Sequence, residues 1–461
     1  MLRLVPLAPL VCLVSTPAQA QQRSAANTPV AFIGVNVLPM DAERVLANQI
    51  VVIRDGRIAA VGPAATSTVP PDALRIEAAG RYLIPGLAEM HAHIPPPDSA
   101  GRMDYAEEVL FLYVAHGVTT IRGMLGHPAH LDLRRRVESG AALGPRIWTS
   151  GPSANGNTAR TAAQGDSIAR ANKALGYDFI KIHPGVTRVA FDALDAAADR
   201  VGIPFAGHVP QEVGLMRALE ARYASIDHLD GYMDVLIRDG AQVDRAAGGW
   251  FGATWAMSVD DAKIPAIARA TRAAGVWNVP TQTLMESYAT DESVETMAAR
   301  PELRYMPPRT RNAWRNWKEQ AIRQGPPPAT MRRFIEIRRA IIKALHDEGA
   351  GLLLGSDAPQ VWNVPGVSVH RELEAIVAAG LSPYQALETG TRNVARFFGV
   401  EDRSGTIAVG KQADLVLLEG DPLADIRNTQ HLSGVMIRGR WISRQEIDAR
   451  LERIAAQYRA P

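Results

Sequence analysis

Between residues 30 and 61 apolar side chains come in short alternating runs, and Val51-Val-Ile-Arg-Asp-Gly-Arg-Ile-Ala-Ala-Val61 breaks at an Asp-Gly pair. Alternation puts every second side chain on one face of a strand, and Asp-Gly suits the tight turn of a hairpin. Strands are predicted over 30–40 and 49–61. The pattern returns late in the chain, in Gly405-Thr-Ile, Ala413-Asp-Leu-Val-Leu-Leu418 and Val435-Met-Ile-Arg-Gly-Arg-Trp-Ile442. The two terminal stretches, 21–80 and 405–461, are expected to pair into one small β-sandwich domain around a larger inserted unit, 81–404.

Inside that unit the texture changes to short apolar runs separated by Ala-, Glu- and Arg-rich stretches of helical period. Eight strands are predicted, over 82–93, 117–124, 146–151, 178–183, 204–209, 225–229, 276–281 and 351–358. Helical patterns at 191–201, 264–274, 331–348 and 369–379 separate several of them. Strand–helix alternation implies an α/β fold with a parallel sheet, and eight repeats favour a (β/α)8 TIM barrel over an open doubly wound sheet. The stretch 288–332 is longer than an ordinary barrel connection and is expected to form a helical lid.

The start of the chain reads differently. A short positive start, an apolar run over 4–14 and Ala18-Gln-Ala20 form the pattern of a secretory signal peptide over 1–20. The expected location is periplasmic or secreted. The single cysteine, Cys12, lies inside that segment, which removes disulfides and thiolate ligands from the mature chain. Losing Arg3 lowers the formal charge from +2 to +1, a balance that supports neither nucleic-acid binding nor a polybasic membrane surface. After signal cleavage no apolar stretch of membrane length remains, and a small molecule is the expected partner. Nothing in the sequence excludes a homo-oligomer.

Candidate chemistry gathers at strand ends. In Ile84-Pro-Gly-Leu-Ala-Glu-Met-His-Ala-His93, period two puts His91 and His93 on one face, a spacing that can chelate a single divalent ion. Asp178-Phe-Ile-Lys-Ile-His183 sets Lys181 mid-strand, on the same face as Phe179 and His183. A buried lysine is either paired with a carboxylate or neutral, and the neutral amine can capture carbon dioxide as a carbamate able to bridge two cations. His208 and His228 each end a short strand, as ligands or as satisfied core residues. Asp357 ends the run Leu352-Leu-Leu-Gly-Ser-Asp-Ala358, where it is a metal ligand or a helix N-cap.

This set resembles the amidohydrolase superfamily, in the subgroup of imidazolonepropionase-like and Xaa-Pro dipeptidase-like enzymes. The resemblance also covers the tail Val409-Gly-Lys-Gln-Ala-Asp-Leu-Val416. It implies that His91, His93 and Asp357 hold one metal and His208 and His228 a second, with carboxylated Lys181 bridging two divalent ions, zinc by default. It further implies hydrolysis of an amide C–N bond of a peptide-like or N-acyl substrate by a hydroxide between the metals, Asp357 moving the proton. The chain departs from dipeptidase-like members in having Thr149-Ser-Gly-Pro-Ser-Ala-Asn-Gly-Asn157 where a Gly-His-Gly motif often stands.

Tyr232, four residues past His228, is either a hydrogen-bond donor to substrate or a rim packing residue. Asn155, His183 and His370 are further candidates for substrate binding. Two other readings compete: a mononuclear cyclic-amide hydrolase or deaminase in which Lys181 only pairs with a carboxylate, and a binding protein without activity. An intact ligand set speaks against the last.

Overall fold

The structure, a computed structural model, describes residues 28–459, so the expected signal peptide lies outside the described residues. The chain opens with β1 (Val30–Val37), β2 (Leu46–Arg54), β3 (Arg57–Pro63), β4 (Leu74–Glu77) and β5 (Tyr82–Pro85). β2 and β3 form the hairpin expected at Asp55-Gly56, where both residues take positive φ, +52° and +72°. In β1 a register shift between Ile33 and Val35 keeps Phe32 and Val35 in one core cluster although their spacing is odd.

The inserted unit follows, with β6 (Leu87–Ala92), β7 (Val118–Gly123), β8 (Arg146–Thr149), β9 (Ile180–Ile182), β10 (Phe205–Gly207), β11 (Ser225–Asp227) and β12 (Trp277–Val279). β6, β7 and β8 make one parallel sheet, and β9 to β12 make a second. Parallel bridges Ser150–Phe179 and Ala154–Ile182 link β8 to β9. The segment 351–354 joins the far ends. Leu353 N donates to Asn278 O at 2.9 Å, and Met90 N donates to Leu354 O at 2.8 Å. Helices run between the strands, among them Asp104–Ala115, Arg188–Val201, Ile264–Ala274 and Pro328–Asp347. Arg188–Val201 shows why they start and stop where they do: Thr187 caps the Ala190 N–H, and Gly202 ends the helix at φ +66°.

The predicted first barrel strand, 82–93, is divided. Tyr82–Pro85 pairs with β1 and with β13 (Leu415–Leu418), and only Leu87–Ala92 pairs with β7. The break is Gly86, where a Cβ would sit 2.1 Å from Thr119 Oγ1. β14 (Leu432–Ile437) and β15 (Arg440–Ser443) complete one eight-stranded mixed sheet of order β15-β14-β13-β5-β1-β2-β3, with β4 on β1. Ile58 N donates to Lys411 O and Ala413 N to Gly56 O, both at 2.9 Å, so the sheet curls until its β3 edge meets the approach to β13. Both ends of the chain therefore share one sheet around Phe32, Val51, Leu83, Leu415 and Met436.

Residues 288–332 are largely helical, with Val294–Ala298 and Pro308–Gln324. Among the described residues no helix is long and apolar enough to cross a membrane.

Candidate metal centre

Each ligand-type residue stands on or just past an apolar strand. His91 lies in β6 with His93 beyond it, Lys181 is the middle residue of β9, and His208 and His228 follow β10 and β11. Asp357 follows the segment 351–354. Gly207 (φ +128°) makes room for the lysine, since a Cβ there would come within 2.8 Å of Lys181 Cδ.

The side chains converge. His93 Nε2 lies 2.7 Å and His91 Nε2 3.6 Å from Asp357 Oδ1, and ligand atoms of the three residues fall within 4.8 Å of one another. His228 Nδ1 is 3.8 Å from Asp357 Oδ2. The imidazoles form one arc, with ring centroids 4.5 Å apart for His91–His228, 4.6 Å for His228–His208 and 5.1 Å for His208–His183. His183 therefore joins the cluster, as its parity with Lys181 predicts.

Orphaned atoms test whether this set fits a metal. Asp357 Oδ1, His91 Nδ1 and His183 Nδ1 are buried and form no well-directed hydrogen bond, although His93 Nε2 lies 2.7 Å from Asp357 Oδ1. His91 Nδ1 comes within 3.1 Å of Asp227 Oδ2, but off the hydrogen-bonding direction. Leaving such atoms unsatisfied costs about 1–3 kcal/mol each, and a divalent cation between imidazole nitrogens and a carboxylate removes that penalty. The donor set fits.

Protonation agrees. Burial drives His91 and His228 well below the ordinary histidine value, with Lys181 and His91 respectively prominent among the charges that add to it. His183 is pushed down to about 2, mainly by burial and then by Lys181. Neutral imidazoles keep a lone pair for a metal. His228 Nδ1 approaches Thr281 Oγ1 at 2.8 Å while that hydroxyl donates to Pro280 O, which assigns the proton to Nδ1 and frees Nε2. Asp230 Oδ2, 2.8 Å from His208 Nδ1, orients the second ring in the same way.

The backbone is strained at this place. His228, Leu229, Thr281 and Asp357 all have positive φ, between +48° and +65°. Non-glycine residues held there cost on the order of 1–3 kcal/mol each and persist where surroundings over-determine them. Arg338 is one such restraint, donating to His228 O and Pro280 O at 2.6 Å and to Gln282 Oε1 at 2.9 Å.

Three functional neighbours escape a reading by strand ends. Asp227 is fully buried, 3.4 Å from Lys181 Nζ and 3.2 Å from Arg122 Nη2. Burial alone raises its pKa, but the two cations reverse that and hold it below the ordinary carboxylate value. Arg122 also donates to Met90 O at 2.8 Å and lies over Phe179 and Phe397. Glu89 accepts from the backbone of His91 and Ser356, bracing β6 against the Asp357 loop, and burial lifts its pKa to about 8. Adjacency to His228 is the one sequence signal for Asp227, and an arginine inside the apolar run of β7 is the signal for Arg122.

Other expected site residues are set apart. Tyr232 is corrected: its hydroxyl pairs with Thr271 Oγ1 at 2.9 Å and Asn278 Oδ1 at 3.0 Å, so it packs behind β12 instead of facing substrate. His370 is corrected too, its nitrogens lying 3.0 Å from Thr429 Oγ1 and from His116 O. His116 precedes β7, which puts His370 at the opposite end of the strands from the ligands. Asn155 turns inward on its own loop, accepting from Asn157 N at 2.9 Å and donating to Ser153.

Known proteins resemble this chain to different extents. The structure of bottromycin amidohydrolase matches at TM-score 0.70 and 25% identity, over 96% of this chain and 94% of that one. A Xaa-Pro dipeptidase with methionine bound in its active site matches at TM-score 0.66 and 18% identity, over 90% and 100%. Adenine deaminase of Rubrobacter xylanophilus is 37% identical over 105 residues, 22% of this chain and 17% of that protein, so the match spans about a sixth of the relative's length. The model of the amidohydrolase family matches residues 82–442, most of the 461, and the chain belongs to that family of carbon–nitrogen hydrolases.

Proposed function

We propose that this chain hydrolyses an amide C–N bond in a peptide-like or N-acyl small molecule, using two divalent metal ions, zinc by default. The observation that carries the proposal is the convergence of His91, His93 and Asp357 within 4.8 Å, continued by the arc of His228, His208 and His183. The proposed fold around the site is a (β/α)8 barrel, a reading supported by the links from β8 to β9 and from 351–354 to β12 and β6. The ligands then share its C-terminal mouth, with the curled terminal sheet as the accessory domain. The proposed location is the periplasm or medium, after removal of residues 1–20.

His91, His93 and Asp357 would hold one ion, His208 and His228 the other, and Lys181 as a carbamate would lie between them. Ions there supply Lewis-acid polarisation of a carbonyl and acidify water near neutral pH. Asp357 takes a proton from the attacking water on its carboxylate and delivers it to the leaving nitrogen. The His228 and His208 rings are held in position by Thr281 and Asp230. Arg122 and Asp227 keep compensating charge beneath them.

A second reading has its own observation. Lys181 Nζ sits 3.4 Å from Asp227 Oδ2, the ion pair of a mononuclear deaminase or cyclic-amide hydrolase, and the adenine deaminase likeness is in keeping with it. Elemental analysis separates the two. About two zinc ions per chain, falling when Lys181→Ala is made, support the binuclear reading. A single ion unaffected by the substitution refutes it. A panel of dipeptides, N-acyl amino acids and cyclic amides then tests the substrate class.

A further inference from the structure

Beyond β11 the chain makes a kinked 3-10 stretch, Trp250–Ser258, in which Phe251 (φ +53°) and Gly252 (φ +77°) leave helical geometry. Only glycine fits the kink, since a Cβ at 252 would come within 2.6 Å of Met233 Cβ. The bend gives two consecutive aromatic rings different neighbours. Phe251 lies over the metal-site histidines, its centroid 5.1 Å from His228 and 6.1 Å from His208. Trp250 stacks on Trp317 at 4.6 Å and lies 5.1 Å from Tyr288. These three rings, with Ile322 and Met331, line a cavity of about 830 Å³.

The cavity borders the site already described. Its wall at Trp250 is one residue from the ring that covers His208 and His228. Its wall at Tyr288 is near Asp357, whose carboxylate adds to burial in raising that phenol's pKa. The volume suits a drug-sized ligand, for which pockets run about 300–1,000 Å³. The charged lining residues are already engaged. Lys318 donates to the carbonyls of Ser287, Tyr288 and Thr290 at 2.9–3.1 Å, Asp291 pairs with Arg332, and Glu292 pairs with Arg300. The neutral polar lining residues are paired too, Thr254 with Ala247 O, Thr290 with Glu292 N, and Gln320 with Gln324, and the rest of the wall is mainly aromatic and aliphatic, including Trp250 (44% exposed) and Ile322 (61% exposed).

The geometry points to this cavity as a subsite for a flat, uncharged apolar group, aromatic or polycyclic, that the amide substrate carries beside the bond to be cut. This rests on the amide-hydrolase reading above. Ring-on-ring packing against Trp250 and Trp317 would select the planar group. Substrates with only a methyl at that position would leave the wall hydrated.

Two measurements test it. The first compares kcat/KM for N-(2-naphthoyl)glycine and N-acetyl-2-naphthylmethylamine, which carry the ring on either side of the amide, with N-acetylglycine. The second follows tryptophan fluorescence while 2-naphthoate is titrated into metal-free protein. At least one naphthyl substrate is expected to exceed N-acetylglycine tenfold or more. Trp317→Ala and the surface change Ile322→Glu are each expected to cut that ratio at least fivefold and to weaken 2-naphthoate binding as much, with Trp317→Phe recovering most of both. Equal kcat/KM for naphthyl and acetyl substrates overturns the inference while leaving the hydrolase reading intact. Naphthoate binding indifferent to both substitutions overturns it as well. If no amide is cut yet naphthoate binding weakens in both variants, the subsite stands and the hydrolase reading falls.

Discussion

Arg338→Met tests whether strain at the metal centre is held by a buried cation. Arg338 is 1% exposed and donates to three acceptors, His228 O, Pro280 O and Gln282 Oε1. Methionine fills much of the space but leaves His228 O and Gln282 Oε1 buried and unpaired, at about 1–3 kcal/mol each, while Pro280 O keeps the Thr281 hydroxyl. Relief from holding a guanidinium out of water offsets part of this. Nearby Glu372 is not left as a bare anion, because burial lifts its pKa to about 8 and it is mostly protonated at neutral pH. The net expectation is about 3–5 kcal/mol lost, the range for breaking a buried charged network from one side. For roughly 430 ordered residues, at about 2.1 cal/mol/K per residue, unfolding entropy is near 0.9 kcal/mol/K, so the loss lowers Tm by about 3–6 °C. His228, freed from its restraint at φ +61°, also moves away from Asp357, and zinc affinity drops about 10–100-fold. Calorimetry of the metal-free protein and zinc titration read the two effects separately. A Tm within 1 °C of the parent, with unchanged zinc affinity, refutes the reasoning.

His93→Ala and Asp357→Asn each remove an atom of the closest cluster, and both are expected to lose at least one bound metal by elemental analysis together with all measurable hydrolysis. Tyr232→Phe gives up hydrogen bonds to Thr271 and Asn278 away from the cluster, so kcat/KM stays within about threefold while stability falls by about 1–2 kcal/mol; a loss of a hundredfold would return Tyr232 to the site. The pair His116 and His370 governs part of the acid limb, since burial pushes their pKa values down to about 4 and about 3. Below about pH 6.5 the unfolded chain takes protons these rings refuse, so stability present above that pH is lost towards pH 4, at about 1.4 kcal/mol per unit for each ring. His116→Gln combined with His370→Gln should flatten Tm against pH between 6.5 and 4, and identical slopes would count against buried neutral histidines.

Local period made part of this protein legible and long-range pairing hid the rest. His91, His93, Lys181 and His183 share faces because a strand alternates, and that information sits within a few residues. The placement of Lys181 opposite Asp227, and of Arg122 beside it, depends on the alternate strands β7, β9 and β11 turning these side chains towards one place, which no window along the chain contains. Tyr232 misleads for a local reason: Gly231, at φ +81°, turns the chain just before it and sends the ring into the gap against Ile264–Ala274 and β12. The segment 351–358 reads as a full strand from its apolar run, yet only Leu352 forms a bridge. Gly355 accounts for this, because its backbone passes so close to β6 that a Cβ would lie 2.9 Å from His91 N. That close approach lets Glu89 reach the Ser356 N–H at 2.8 Å and so fixes Asp357 over His91 and His93. The irregularity that spoils the strand is thus what positions the carboxylate, and the departures from regular pattern gather where the ligands meet.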